Sequence, residues 1–183
     1  MFSKILNIVR NIILFKIIYP WVKVGVNVHC QFSTRFLSPK RNVKLGDNVG
    51  IGFNCFFLTN VSIGNKVLIA SNVSFISKDD HNFNIIGKTI WDSGRGDKFN
   101  IIVEDDVWIG QGATIISPCK IGRGSVIAAG SIISNLIEPY SIYAGVPGKL
   151  IKKRFSDIEI YNHESILIQK KELQENKRTI KSI

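Results

Sequence analysis

Histidine is scarce in this 183-residue chain, which has only His29, His81 and His163. His81 follows two aspartates in the stretch Ser74-Phe-Ile-Ser-Lys-Asp-Asp-His-Asn-Phe-Asn84. An imidazole titrates near neutral pH, so it can take a proton from a reacting hydroxyl and return one later in the same cycle. Asp79 and Asp80 are placed to orient the ring or fix its tautomer. Aspartates also settle in turns for their own local hydrogen bonds, and Asn82 carries the same ambiguity. A loop histidine held only by such turns is the competing reading of His81. Farther on, Lys149, Lys152, Lys153 and Arg154 gather four cations within six residues. They suit phosphate oxygens, or form a solvated tail. Between residues 82 and 100 lie Phe83, Trp91 and Phe99 with Lys88, Arg95 and Lys98. Flat rings cover a sugar's apolar face and Arg supplies directional hydrogen bonds, so Asn82, Trp91 and Arg95 are substrate-binding candidates. The alternative is that the rings only anchor a long loop.

Something must hold these residues, and the sequence supplies a repeat. Stepping by six from Leu45 meets Ile51, Phe57, Ile63, Ile69 and Phe75, all large and apolar. Four places on, Val49, Cys55, Val61, Val67 and Val73 are small or β-branched. The pattern restarts at Val103 with Ile109, Ile115, Ile121, Ile127 and Ile133, beside Val107, Ala113, Cys119, Ser125 and Ser131. Gly or Ala often follows the large residue and is expected at the corners. An α-helix puts positions six apart about 120° out of step on each repeat, so the period excludes a helix. Short strands joined by corners fit it, three to a triangular coil, with coils stacked into a prism. From Phe75 to Val103 is 28 residues, which six does not divide. An inserted loop over 82–100 is the expected cause.

This pattern resembles the hexapeptide-repeat acyltransferases, whose coils form a left-handed parallel β-helix. The resemblance covers residues 24–154. It is sharpened by Asp79-Asp-His-Asn-Phe-Asn84, by Val103-Glu-Asp-Asp-Val-Trp-Ile-Gly-Gln-Gly-Ala-Thr-Ile115 and by Tyr143-Ala-Gly-Val-Pro-Gly-Lys-Leu-Ile-Lys-Lys-Arg154. The branch it points to acetylates sugars, antibiotics and surface polysaccharides from acetyl-CoA, as homotrimers. The left hand comes from the resemblance alone, since crossovers otherwise favour the right hand. The resemblance implies an O-acetyltransferase acting on a sugar hydroxyl in surface polysaccharide synthesis. His81 would be the general base, with no covalent intermediate and no metal. The alternatives are an N-acetyltransferase on an amino sugar and an antibiotic acetyltransferase. It further implies Trp108, Gln111, Ala129, Ser134, Pro147, Lys149 and Lys152 as residues along the acetyl-CoA groove. Trp108 also suits packing between subunits. Relatives carry an asparagine one coil before the histidine, for which Asn54 is the nearest candidate.

Composition limits the rest. Three cysteines without a CxxC spacing and no secretory signal predict reduced thiols in a cytoplasmic protein. The net charge is +10, yet residues 47–148 are nearly balanced. Residues 1–46 hold eight Lys or Arg and no acid, and residues 149–183 nine basic against five acidic. Basic ends suit anionic partners, but no nucleic-acid-binding motif accompanies them. A three-histidine zinc hydratase is disfavoured because only His81 falls beside the repeat. Residues 1–23 are expected to form an amphipathic helix ending near Pro20, with Lys4, Asn7, Arg10 and Asn11 on one sector. Its place is either on its own protein or, through residues 1–20, on the inner face of a membrane. Residues 155–183 are expected to hold a helix over 156–177, opened by a Ser156/Glu159 capping box.

Overall fold

In the computed structural model, which describes residues 2–97 and 99–181, six stacked coils form a three-sided prism. Each of the first five coils contributes one strand to each of three parallel sheets, here called A, B and C, and the sixth to A and B only. The first coil holds β1 (Lys23–Val24), β2 (His29–Cys30) and β3 (Arg35–Phe36), and the second β4 (Val43–Leu45), β5 (Gly50–Ile51) and β6 (Phe56–Phe57). The third has β7 (Asn60–Ile63), β8 (Leu68–Ile69) and β9 (Ser74–Ser77), and the fourth β10 (Asn100–Val103), β11 (Trp108–Ile109) and β12 (Thr114–Ser117). The fifth has β13 (Cys119–Ile121), β14 (Val126–Ile127) and β15 (Ile132–Ile133). The sixth has β16 (Leu136–Ile137) and β17 (Ser141–Gly145), and the chain then turns back as β18 (Gly148–Lys153), antiparallel to β17.

Every residue of the two six-step series is buried. In-register pairing stacks like on like: Leu45, Ile63, Val103, Ile121 and Ile137 under sheet A, and Cys30, Ile51, Ile69, Ile109, Ile127 and Tyr143 under sheet B. Under sheet C the Phe36, Phe57 and Phe75 rings stack with centroids 4.7 and 4.6 Å apart. The first coil thus extends the six-residue step back to Val24, Cys30 and Phe36. All three thiols are buried, and desolvation pushes the Cys30 and Cys119 thiols up to about 12. They are packing groups.

The corners use two residue types, not one. The left-handed backbone falls three places after the large residue, at Asn48, Asn54, Lys66, Asn72 and Asp106, and at Gly112, Gly124 and Gly130. The glycine directly after the large residue has a different task. A Cβ on Gly46 would lie 2.6 Å from the Gly64 carbonyl oxygen of the next coil, so glycine there lets neighbouring coils approach.

The interruption spans 78–99, not 82–100, because Asn100 already pairs with Asn60 as the first residue of β10. Lys98 lies outside the described residues, as do positions 1, 182 and 183. The N-terminal helix α1 (Phe2–Ile12) continues as a wider π-helical turn over Ile13–Ile18. Leu14 and Phe15 are buried, and Phe15 and Tyr19 meet the Phe36 ring edge-on at 5.8 and 5.2 Å. The helix therefore closes the first end of the prism. At the other end α2 (Asp157–Lys181) begins with the expected capping box, as Ser156 N–H donates to Glu159 Oε2 at 2.8 Å and Glu159 N–H to Ser156 Oγ at 3.4 Å. Glu164 of α2 accepts from Arg123 Nε at 2.6 Å and from the Tyr140 hydroxyl, which ties the helix to the last coils.

Phe57→Ala removes the middle ring of the stack. It is expected to lower unfolding stability by about 3–5 kcal/mol, whereas Phe53→Ala, on an exposed corner, costs less than about 1 kcal/mol. Denaturant unfolding of both variants checks the difference.

Candidate active site

Each coil runs through sheets A, B and C in turn, so the 78–99 excursion leaves from the edge between C and A. Its two limbs meet in an isolated antiparallel bridge between His81 and Arg95. Asn82 fastens them further: its Nδ2 donates to the Ser93 and Arg95 carbonyls, both at 3.0 Å. The Asn82 amide NH2 is therefore committed to loop geometry. Gly96 is needed where the limbs touch, because a Cβ there would sit 2.3 Å from the Asp79 carbonyl oxygen.

The His81 side chain is left 47% exposed. Asp80 Oδ2 lies 3.5 Å from its Nε2 and takes a closer contact, 2.5 Å, from Arg95 Nη1. Asp80 thus stands between the ring and the guanidinium. The Asp79 carboxylate has no hydrogen bond or ion pair among the described residues, and the structure gives it no contact with the ring. Arg95 is exposed but paired with Asp80. Trp91 is 91% exposed and Phe83 68%, so these rings do not anchor the loop. Its internal hold is polar, as in Ser93 Oγ donating to the Thr89 carbonyl at 2.7 Å.

The remaining candidates lie elsewhere on the prism. Trp108 points outward from the middle of sheet B, in register with Leu68 on one side and Val126 on the other. Together with Lys66, Asp106 and Arg154 they line an open cleft of about 380 Å³. Gln111 and Ala129 occupy successive corners of the edge between B and C, where Gly130 N–H donates to the Gln111 carbonyl at 2.8 Å. The β17–β18 turn, which carries Pro147, continues that edge, with Gly145 N–H donating to Ser131 Oγ at 3.2 Å. Ser134 is exposed but sits on the C–A edge, apart from that column.

The four cations separate into two pairs. Lys153 binds Glu138 at 2.6 Å, which holds that carboxyl below its usual range, and Arg154 binds Asp106 at 2.8 Å. Lys149 and Lys152 are exposed and make no ion pair among the described residues.

One polar group went unnoticed in the sequence. Asn60 is buried beneath the excursion and accepts from Ser38 Oγ at 2.9 Å. With Thr59, Ser77, Asp79, Asp80 and Gly96 it lines a cavity of about 10 Å³, roughly the room of one water. Ser77 Oγ is buried there without a partner. Asn54, by contrast, is a left-handed corner residue on the B–C edge. A signal was available: Asn42, Asn60 and Asn100 each directly precede the first buried apolar residue of a sheet A strand, Val43, Val61 and Ile101.

Face B lies opposite the C–A edge of the same prism. His81 and Trp108 therefore cannot line one cleft within a single chain.

The description "Bacterial transferase hexapeptide (six repeats)" matches residues 100–135, and "Hexapeptide repeat of succinyl-transferase" matches 42–74. A chloramphenicol acetyltransferase of Klebsiella aerogenes is 48% identical over 61 residues, 33% of this chain and 29% of that protein. The galactoside O-acetyltransferase of Escherichia coli (strain K12) is 34% identical over 120 residues, 64% of this chain and 57% of that protein. The chain spans less than two thirds of the length of the curated relatives it matches. Among solved structures, a hexapeptide-repeat containing acetyltransferase from Vibrio cholerae O1 biovar eltor, complexed with acetyl coenzyme A, superposes with a TM-score of 0.55. It is 25% identical, and the match covers 74% of this chain and 69% of that one.

Asn82→Ala removes both side-chain ties between the limbs. With a net value of about 1 kcal/mol per hydrogen bond, amide exchange over 82–96 should accelerate roughly 5–30-fold. Exchange in the coil strands should stay unchanged, and mass-resolved hydrogen exchange reads both.

Proposed function

We propose that this chain, a member of the hexapeptide-repeat acetyltransferases, transfers the acetyl group of acetyl-CoA to a sugar hydroxyl in the synthesis of a surface polysaccharide. The observation that carries this reading is His81: a half-exposed imidazole held at the mouth of an excursion, between backbone it bridges and a carboxylate. The ring accepts the proton of the acceptor hydroxyl as its oxygen attacks the thioester carbonyl. The tetrahedral intermediate collapses, the C–S bond breaks, and the departing CoA sulfur takes the proton back from the imidazolium. Asp80 faces the ring at 3.5 Å and helps orient it, while Arg95 Nη1 at 2.5 Å keeps the carboxylate in place.

The CoA arm follows the column of Gln111, Ala129 and the Pro147 turn along the B–C edge. Lys149 and Lys152, without acidic partners among the described residues, receive its phosphates. Trp108 walls the thioester end. Because face B and the C–A edge are on opposite sides of one prism, a complete site takes His81 from one chain and Trp108 from a neighbour. A homotrimer supplies three such clefts. Ser134, on the other edge, then stands apart from the cofactor arm of its own chain.

The exposed rings Phe83 and Trp91 form the acceptor side, on which a pyranose stacks. Amino-sugar nitrogen and chloramphenicol-like hydroxyls are the competing acceptors, and the similarity to a chloramphenicol acetyltransferase favours testing the latter.

Thiol release from acetyl-CoA, followed with galactosides, amino sugars and chloramphenicol, ranks these acceptors. His81→Ala should lower kcat about 10²–10⁴-fold with CoA binding retained. Turnover equal to the parent chain's would remove His81 from the mechanism.

A further inference from the structure

Helix α1 sits on the protein the wrong way round for an ordinary amphipathic helix. Its polar sector faces inward. Asn7 Nδ2 and Asn11 Nδ2 both donate to the Val28 carbonyl, at 3.1 and 2.6 Å, and Arg10 Nη1 donates to Gln31 Oε1 at 2.9 Å. The apolar sector faces out, with Ile5, Leu6, Ile8, Val9 and Ile12 each about half exposed, between 48% and 58%. Beyond it Ile17 is 69% exposed. A contiguous apolar strip of this kind on a soluble surface marks something that covers it.

The charge of the segment that carries the strip selects the cover. Residues 1–46 carry eight Lys or Arg and no Asp or Glu, and Lys16, Lys23, Lys40, Arg41 and Lys44 are all exposed. A second copy docking strip to strip would bring two acid-free cationic segments together, which is unfavourable. An anionic bilayer offers apolar chains for the strip and negative headgroups for the cations. No helix among the described residues is long and apolar enough to cross a membrane. We infer that α1 lies in the interface of an anionic membrane, apolar face down, while its asparagines hold it to the first coil. Anchoring this way presents the enzyme to acceptors carried on a lipid surface. The inference rests on α1 and the charge of residues 1–46, not on the acetyltransfer reading.

The test is flotation of the full chain on phosphatidylcholine vesicles containing about one third phosphatidylglycerol, beside vesicles of phosphatidylcholine alone. The chain should float with the mixed vesicles only, and less so as salt rises. The double variant L6Q/V9Q keeps good helix formers on an exposed face. It should partition at least about tenfold more weakly while its circular dichroism and unfolding midpoint stay those of the parent. K16Q/K23Q should flatten the salt dependence. Three results overturn the inference: no flotation of the folded parent chain, equal flotation of L6Q/V9Q, or a larger assembly of the parent chain in solution that L6Q/V9Q disperses without any vesicle dependence. Thiol release with a soluble acceptor should be the same in L6Q/V9Q, so failure of flotation and failure of the acetyltransfer reading remain distinguishable.

Discussion

Each strand of this molecule is only two to six residues long, too short to hold its place alone. What holds it is the return of the chain, one coil later, to a position directly beside it. The amide of Gly46 donates to the Ile63 carbonyl, that of Gly64 to Val103, and that of Gly110 to Ile127, each at 2.7–2.9 Å. Any change in coil circumference would break these bonds on all three sheets together. The left-handed corner residues and the close-approach glycines follow from that constraint, because both serve to keep the circumference constant. So does the like-on-like stacking in the core, since a fixed register puts each large residue above the large residue of the coil before it.

A stack of this kind has two open ends, and the ends explain features that the periodic part does not. Strand β2 is the terminal strand of sheet B, so the Val28 carbonyl before it lacks a strand on one side. An exposed strand edge invites unwanted pairing. Asn7 and Asn11 close it by donating to that oxygen. The open core beneath Phe36 needs an apolar cover instead, and Leu14, Phe15 and Tyr19 supply it. The helical wheel of residues 1–20 shows two faces correctly but does not say which one meets the protein. The need to satisfy a bare carbonyl decides it, and that need appears only once the coil is built.

The same distinction governs what the sequence revealed of the site. The large and small positions from Leu45 to Ile133 were legible because burial repeats every six residues. The boundary of the excursion was blurred because Lys78 to Asn82 keep the polar character of an ordinary corner, while Asn100 resembles loop but pairs as strand. His81 could be singled out as the one histidine beside the repeat. Its neighbours could not be sorted by type: Asp79 and Asp80 are identical in the sequence, yet only Asp80 reaches the ring and Arg95. Likewise the four cations after Pro147 look alike, and only the positions of Glu138 and Asp106 divide them. Asn82 and Asn60 are likewise alike in type but differ in place. Asn82 is spent on loop carbonyls, whereas Asn60 lines the polar cavity below.

The excursion also shows how a rigid stack can carry variable chemistry. Ile63 and Val103 are adjacent in register though 40 residues apart, which is one 18-residue coil, as between Leu45 and Ile63, plus the 22 residues of 78–99. The coils bring Ser77 and Asn100 to their places whether or not anything is inserted between them. The entropic cost of a longer loop then grows only with the logarithm of its length, about 0.6 kcal/mol per doubling. Insertions at a coil edge are therefore tolerated, and at the C–A edge they leave faces B and C undisturbed. The groups assigned to the cofactor, apart from Ser134, lie on face B and the B–C edge, whereas the groups assigned to the acceptor hang from the opposite edge. On the proposed reading, that separation would let acceptor preference change by altering residues 78–99 while the coils, their register and the Gln111–Ala129–Pro147 column stay as they are.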